Sequence, residues 1–185
     1  DGKLLVCSEQ GIGDEILYLS CLHDLLKQHK AIIVECDKRW GPIFRRSFPE
    51  IIVVPRQVKF VGDDSLFYDY SEITRKYKIG AYMLCGDLPK IFRYDFQTPK
   101  NESGFLRSNP QRRQVYSKYL DKPPGQVLVG VCWKSGFAPN WPSIYPRLSD
   151  LLEFLPNDKN LRLISLQYGR NDRELSAKSK NTAKL

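Results

Sequence analysis

A short apolar run, Leu4 to Cys7, stops at the glycine loop Glu9-Gln10-Gly11-Ile12-Gly13-Asp14, and that loop opens onto a helical pattern from about Asp14 to Gln28. Ile16, Leu17, Leu19, Leu22, Leu25 and Leu26 fall on one broad face of the helix. A second apolar run, Ala31 to Cys36, follows a tight connection. Strand, helix and strand in this order make a crossover, so the two strands lie parallel in a sheet with helices on its faces. An open α/β sheet is the expectation for the first domain.

The alternation continues with a short helix around Arg39 to Ser47 and a strand from Ile51 to Val54. Between Arg56 and Tyr77 the pattern weakens: Gly62-Asp63-Asp64 reads as a turn, the aromatics near it suit a strand or a lid, and Ser71 to Tyr77 suits a helix. Ile79 to Cys85 is another apolar segment, and Gly86-Asp87-Leu88-Pro89 a turn leading into Lys90 to Tyr94. A helix from Pro110 to Leu120 precedes Asp121-Lys122-Pro123-Pro124-Gly125, a stiff connector that divides the chain into domains 1–122 and 123–185. Strands are expected at Gln126 to Trp133 and Arg162 to Gln167, with helices at Arg147 to Leu155 and from Asp172 to about Lys180. Two strand–helix pairs are too little for a complete doubly wound domain, so the second domain is expected to continue beyond Leu185. The exposed sheet edge this would leave predicts self-association or domain exchange.

The chain has 185 residues, with 29 Lys and Arg against 21 Asp and Glu, a net charge of +8. Such a balance favours nucleic acid, an anionic surface or a phosphorylated ligand. The charges are spread, however, among acids and apolar runs, and the aromatics form no repeated stacking ladder with Arg and Lys, so a solvated surface without a nucleic-acid partner is expected. No apolar run approaches the roughly 20 residues needed to span a bilayer, which argues against an integral membrane protein. The start at Asp1, without Met or a secretory pattern, reads as a piece of a longer protein. Cys7, Cys21, Cys36, Cys85 and Cys132 sit mostly inside apolar segments and read as reduced thiols of a cytoplasmic protein. His23 and His29 have no thiol partners at ligand spacing, so no metal site is expected.

In open α/β sheets ligands sit at the carboxyl ends of the strands, and two loops here carry chemistry. Gly11-x-Gly13 partly matches a dinucleotide fingerprint, with Glu35 near the place of a ribose-binding acid, but Ile16 occupies the third glycine position. Asp14 and Glu15 would also oppose a pyrophosphate at the helix N-terminus. Asp14 has two compatible roles: a helix cap, or a carboxylate that orients and deprotonates an acceptor hydroxyl. On the second loop, Lys134 leaves the strand ending in Trp133, and Ser135-Gly136 let the backbone approach a ligand. A cation with backbone amides suits a diphosphate leaving group; a solvent-exposed Lys at a strand end is the plainer reading.

The glycine loop Glu9 to Asp14, Val34-Glu35-Cys36, Gly86-Asp87-Leu88-Pro89-Lys90-Ile91-Phe92-Arg93, Gly130-Val131-Cys132-Trp133-Lys134-Ser135-Gly136 and Ile164-Ser165-Leu166-Gln167-Tyr168-Gly169 occur in order. Together they resemble bacterial TPR-containing glycosyltransferases related to the heptosyltransferases of glycosyltransferase family 9. The resemblance implies an α/β fold of GT-B type, a Rossmann-like first domain and the first part of a second Rossmann-like domain, with the acceptor mostly on the first and a nucleotide sugar, as co-substrate and not cofactor, mostly on the second. It implies inverting, metal-independent transfer of a sugar to a hydroxyl of a glycan, lipid or protein. Asp14 would be the base, Gln10, Gly11 and Gly13 the acceptor-side loop, and Lys134, Ser135, Gly136 and Gln167 the donor and diphosphate site. Asn140-Trp141-Pro142-Ser143 stands where the family often has an Arg, which would remove a phosphate contact or shift it to Arg147. The later nucleotide-binding motifs are missing, so an active parent with an inactive fragment stays open. Two further readings also stay open: a noncatalytic sugar- or nucleotide-binding module, and a basic nucleic-acid-associated domain.

Overall fold

The computed structural model describes residues 2–61, 65–94, 104–134, 145–156, 158–167 and 182–184. By its contacts the chain divides into two compact units, Asp1–Pro110 and Gln111–Leu185. Both are mixed α/β.

In the first unit the apolar runs become β1 (Lys3–Cys7), β2 (Ile32–Cys36), β3 (Ile52–Pro55) and β6 (Ile79–Leu84), four parallel strands in the order β3-β2-β1-β6. Between them lie α1 (Ile12–Leu19), α2 (Leu22–Gln28), α3 (Gly41–Ser47), an antiparallel ribbon of β4 (Val58–Val61) and β5 (Ser65–Tyr68), and α4 (Ser71–Tyr77), with α5 (Asp87–Phe92) after β6. This topology is compatible with a Rossmann-like fold. Strands covered on both faces are mostly apolar: Val6, Ile32, Val34 and Val53 pack with Leu19, Leu22, Phe44 and Leu88 on one face, and Leu5, Cys7, Ile33 and Val54 with Ile73 on the other.

The single expected helix from Asp14 to Gln28 is two helices. The Ser20 and Cys21 amides bond three residues back, to Leu17 and Tyr18, and the Ser20 hydroxyl also donates to the Leu17 carbonyl at 2.6 Å. This competition for backbone acceptors ends α1. The weak stretch after Arg56 holds the β4–β5 ribbon and the expected α4; its turn, Gly62-Asp63-Asp64, lies outside the described residues. Gly86-Asp87-Leu88-Pro89 begins α5, because a proline in the first turn blocks no helical hydrogen bond.

In the second unit, α6 (Pro110–Tyr119) leads to β7 (Val127–Val131), α7 (Leu148–Glu153), β8 (Leu161–Ser165) and β9 (Thr182–Lys184). The strands form a parallel sheet in the order β7-β8-β9. Val131, Trp133, Leu148 and Leu163 make its core. Arg162 holds the end of α6 by donating to the Asp121 and Tyr119 carbonyls at 3.2 and 3.3 Å. The helix expected from Asp172 lies outside the described residues. No helix among the described residues is long and apolar enough to cross a membrane.

Candidate functional site

The chain lays β1, β2 and β3 outward in one direction and then returns to place β6 on the other side of β1. This reversal opens a crevice at the carboxyl ends of β1 and β6, the usual ligand position in an open parallel sheet. The glycine loop is there, after Cys7, and Cys85-Gly86 ends β6 beside it: the Cys85 amide donates to the Cys7 carbonyl at 2.9 Å, and the Gly86 amide to Glu9 Oε1 at 3.0 Å.

A buried ionic cluster supports the loop from beneath. The Glu15 side chain is 1% exposed and meets Arg56 Nη2 at 2.5 Å. The same Nη2 donates to the Gln10 carbonyl at 2.5 Å and to Ser8 Oγ at 2.6 Å. Ser8 Oγ donates to Glu15 in turn, and the Asp37 amide donates to Glu15 Oε2 at 3.0 Å. One guanidinium from the end of β3 thereby joins the end of β1, the loop and the start of α1. Burial opposes the Arg56 cation, but the Glu15 carboxylate beside it prevails and raises its pKa.

Glu35 closes the next layer. Its buried carboxylate accepts from the Ser8 amide at 2.9 Å, the Gln57 amide at 2.5 Å and the Tyr70 hydroxyl at 3.1 Å. Burial raises its pKa even though all three donors favour the charged form. Burial, with Glu35 nearby, also pushes the Cys7 thiol up to about 11. With its carboxylate enclosed among these donors, Glu35 braces the fold; it does not present an acid to a ribose at the surface.

Asp14 is half-buried at the third position of α1, and its Oδ2 accepts from the Gly11 amide at 3.1 Å. The capping role is thus present, at the rim of the crevice where the acceptor role would also need the carboxylate. Gln10 and Gly11 are exposed on the same loop; Gly13 lies within α1 with open space beside its Cα. A groove of about 800 Å³ runs from Ser8 and Glu9 along β6, walled by Tyr68, Tyr70 and Tyr82.

In the second unit Gln167 is 7% exposed and faces the strand end it follows in space. Its Oε1 accepts from the Trp133 and Lys134 amides at 3.1 and 3.0 Å, and its Nε2 donates to the Lys134 carbonyl at 2.8 Å. One side-chain amide therefore fixes the backbone from which Lys134 projects. Ser135, Gly136 and Asn140 to Ser143 lie outside the described residues. Arg147 pairs with Asp150 across the first turn of α7, Nη2 to Oδ1 at 3.1 Å. The residues missed by motif reading are Arg56 and Tyr70, together with the buried partnership of Glu15.

No family model matches the chain, and no solved structure matches it. It is similar to Protein FlbA of Caulobacter vibrioides, 25% identical over 137 residues, which are 72% of this chain and 23% of that protein. The chain thus spans less than a quarter of that relative's length. These findings correct the resemblance to TPR-containing glycosyltransferases of family 9: the similarity found is to FlbA, not to a glycosyltransferase, and no family model supports it. The physical reason is visible in the motifs, since Asp14, Glu35 and Gln167 each answer a local demand of any parallel α/β unit, as cap, brace and loop clamp.

Proposed function

We propose that the chain is part of a sugar-nucleotide-dependent, inverting and metal-independent glycosyltransferase of two-domain GT-B type, with the acceptor on the first unit and the donor on the second. The observation that carries this reading is the position of Asp14 in the first turn of α1, directly after the glycine loop at the reversal of strand order, a loop that Arg56 holds through the Gln10 carbonyl. In the reaction the acceptor O–H gives its proton to the Asp14 carboxylate while its oxygen bonds to the anomeric carbon. The bond from that carbon to the diphosphate oxygen breaks, and the diphosphate leaves with the electron pair. Lys134 neutralises the departing charge with the Ser135-Gly136 backbone, and Gln167 sets the direction from which Lys134 approaches. A cytoplasmic setting, where nucleotide sugars are made, agrees with the free thiols.

Titration calorimetry of the chain with UDP, GDP, ADP and CMP tests the donor half, and turnover of the full-length protein tests the whole. One nucleotide is expected to bind and to weaken in Lys134→Ala, and Asp14→Asn is expected to abolish transfer with nucleotide affinity retained. The Gly11–Asp14 hydrogen bond favours a second reading, a noncatalytic binding module in which Asp14 only caps α1. Unchanged turnover in Asp14→Asn would select that reading.

A further inference from the structure

We infer that the groove along β6 in the first unit binds an uncharged sugar ring. Its size, about 800 Å³, and its place beside the strand-order reversal are those of a small-ligand site. The floor is apolar, from Leu5 and Leu84, while Ser8 and Glu9 stand at the carboxyl end. Tyr82 is 77% exposed on β6, a large side chain left uncovered in an otherwise apolar strand.

The charges along the groove select the ligand. The described lining contains one carboxylate, Glu9, and no Lys or Arg, although the chain as a whole is at +8. The cation nearest that end, Arg56 on the Ser8 hydroxyl, is already paired with Glu15, so a phosphorylated ligand would place its charge beside Glu9 with no cation of the lining to meet it, a costly arrangement in a partly desolvated site. A compact cation is matched in charge but not in shape. Tyr68 and Tyr70 lie nearly parallel, 12° apart with centroids 6.3 Å from each other, so they present flat faces and do not surround a point. A pyranose satisfies both conditions: its C–H face lies against the electron-rich faces of the tyrosines, and its hydroxyls donate to Glu9. Glu9 is itself fixed by the Gly86 amide, so its carboxylate is already oriented.

The proposed transferase enters only in naming this sugar as the acceptor; the binding stands on the groove. Amide chemical shifts of the whole chain are followed by NMR with chitotriose, cellotriose and maltotriose as neutral probes, glucose 6-phosphate as anion and tetramethylammonium as cation. At least one neutral saccharide is expected to shift the Gly80, Ala81 and Tyr82 amides saturably. In Tyr82→Ala its affinity should fall about fivefold to tenfold. Glu9→Gln should weaken it less and should relax the exclusion of glucose 6-phosphate, because the one carboxylate of the described lining is gone. Tyr82 is exposed, so unchanged amide positions elsewhere confirm that its variant is folded. A response confined to the anion or the cation, or to no probe, overturns the inference. Sugar binding without transfer by the full-length protein leaves the groove standing and removes the transferase; transfer with an acceptor that never shifts these amides does the reverse.

Discussion

Replacing Arg56 by Ala removes the cation from the cluster beneath the glycine loop and leaves the Glu15 carboxylate buried. Breaking a fully buried pair by deleting one partner costs roughly 3–5 kcal/mol. Two features reduce that figure. The Arg56 side chain is 28% exposed, so water reaches part of the vacated site, and Glu15 keeps the Ser8 hydroxyl and the Asp37 amide. A loss of about 2–3 kcal/mol for the first unit follows. Native-state hydrogen exchange at Ile33 and Val34 reads this directly, because their amides lie in the central strand β2 of that unit, whereas Trp fluorescence would mix Trp40 of the first unit with Trp133 and Trp141 of the second. Glu15→Gln and the double variant complete a thermodynamic cycle, with an expected coupling of about 1–2 kcal/mol. Additive effects, or a loss below about 0.5 kcal/mol in Arg56→Ala, the ordinary range for surface changes, would refute the claim that this pair organises the loop.

Two further outcomes follow from the titrating groups. Arg39 holds the Asp37 carboxyl down at about 2, below its ordinary 3.8. Its contribution to stability is therefore complete above the ordinary value and is lost as pH falls through about 2, a loss that Asp37→Asn should flatten in acid unfolding curves. Glu35 acts with the opposite sign: burial raises its pKa, so its contribution is complete below the ordinary 4.5 and declines as pH rises through the folded value. Glu35→Gln should remove that declining slope. Burial pushes Cys85 to about 11 and Cys36 to about 12, and Cys7 and Cys21 are also raised and enclosed. In the native protein a chromogenic disulfide reagent should titrate one fast thiol, the exposed Cys132, and Cys132→Ser should abolish that phase.

The sheet was legible because a strand buried on both faces leaves a mark that does not depend on its partners: the runs from Leu4, Ala31 and Ile51 became parallel strand at nearly the expected bounds, while the apolar segment from Ile79 became the largely exposed edge strand β6. The ionic cluster was not, since Arg56 reaches Glu15 across 41 residues and only the fold brings them together. A signal was nevertheless present. Glu15 stands at helical spacing before Leu19, Leu22 and Leu26, on the apolar side, and Glu35 interrupts the run from Ile32 to Cys36. An acid in a position that burial demands must find donors, and at the carboxyl end of a parallel strand the nearest are the amides of the following loops. Ser8, Gln57 and Asp37 supply them. Glycine, acid and amide side chains therefore collect at these strand ends to stabilise the loops, whatever those loops go on to bind. Motifs made from those residues report the architecture first, which explains how five of them could follow a transferase pattern in order while the similarity found was to FlbA.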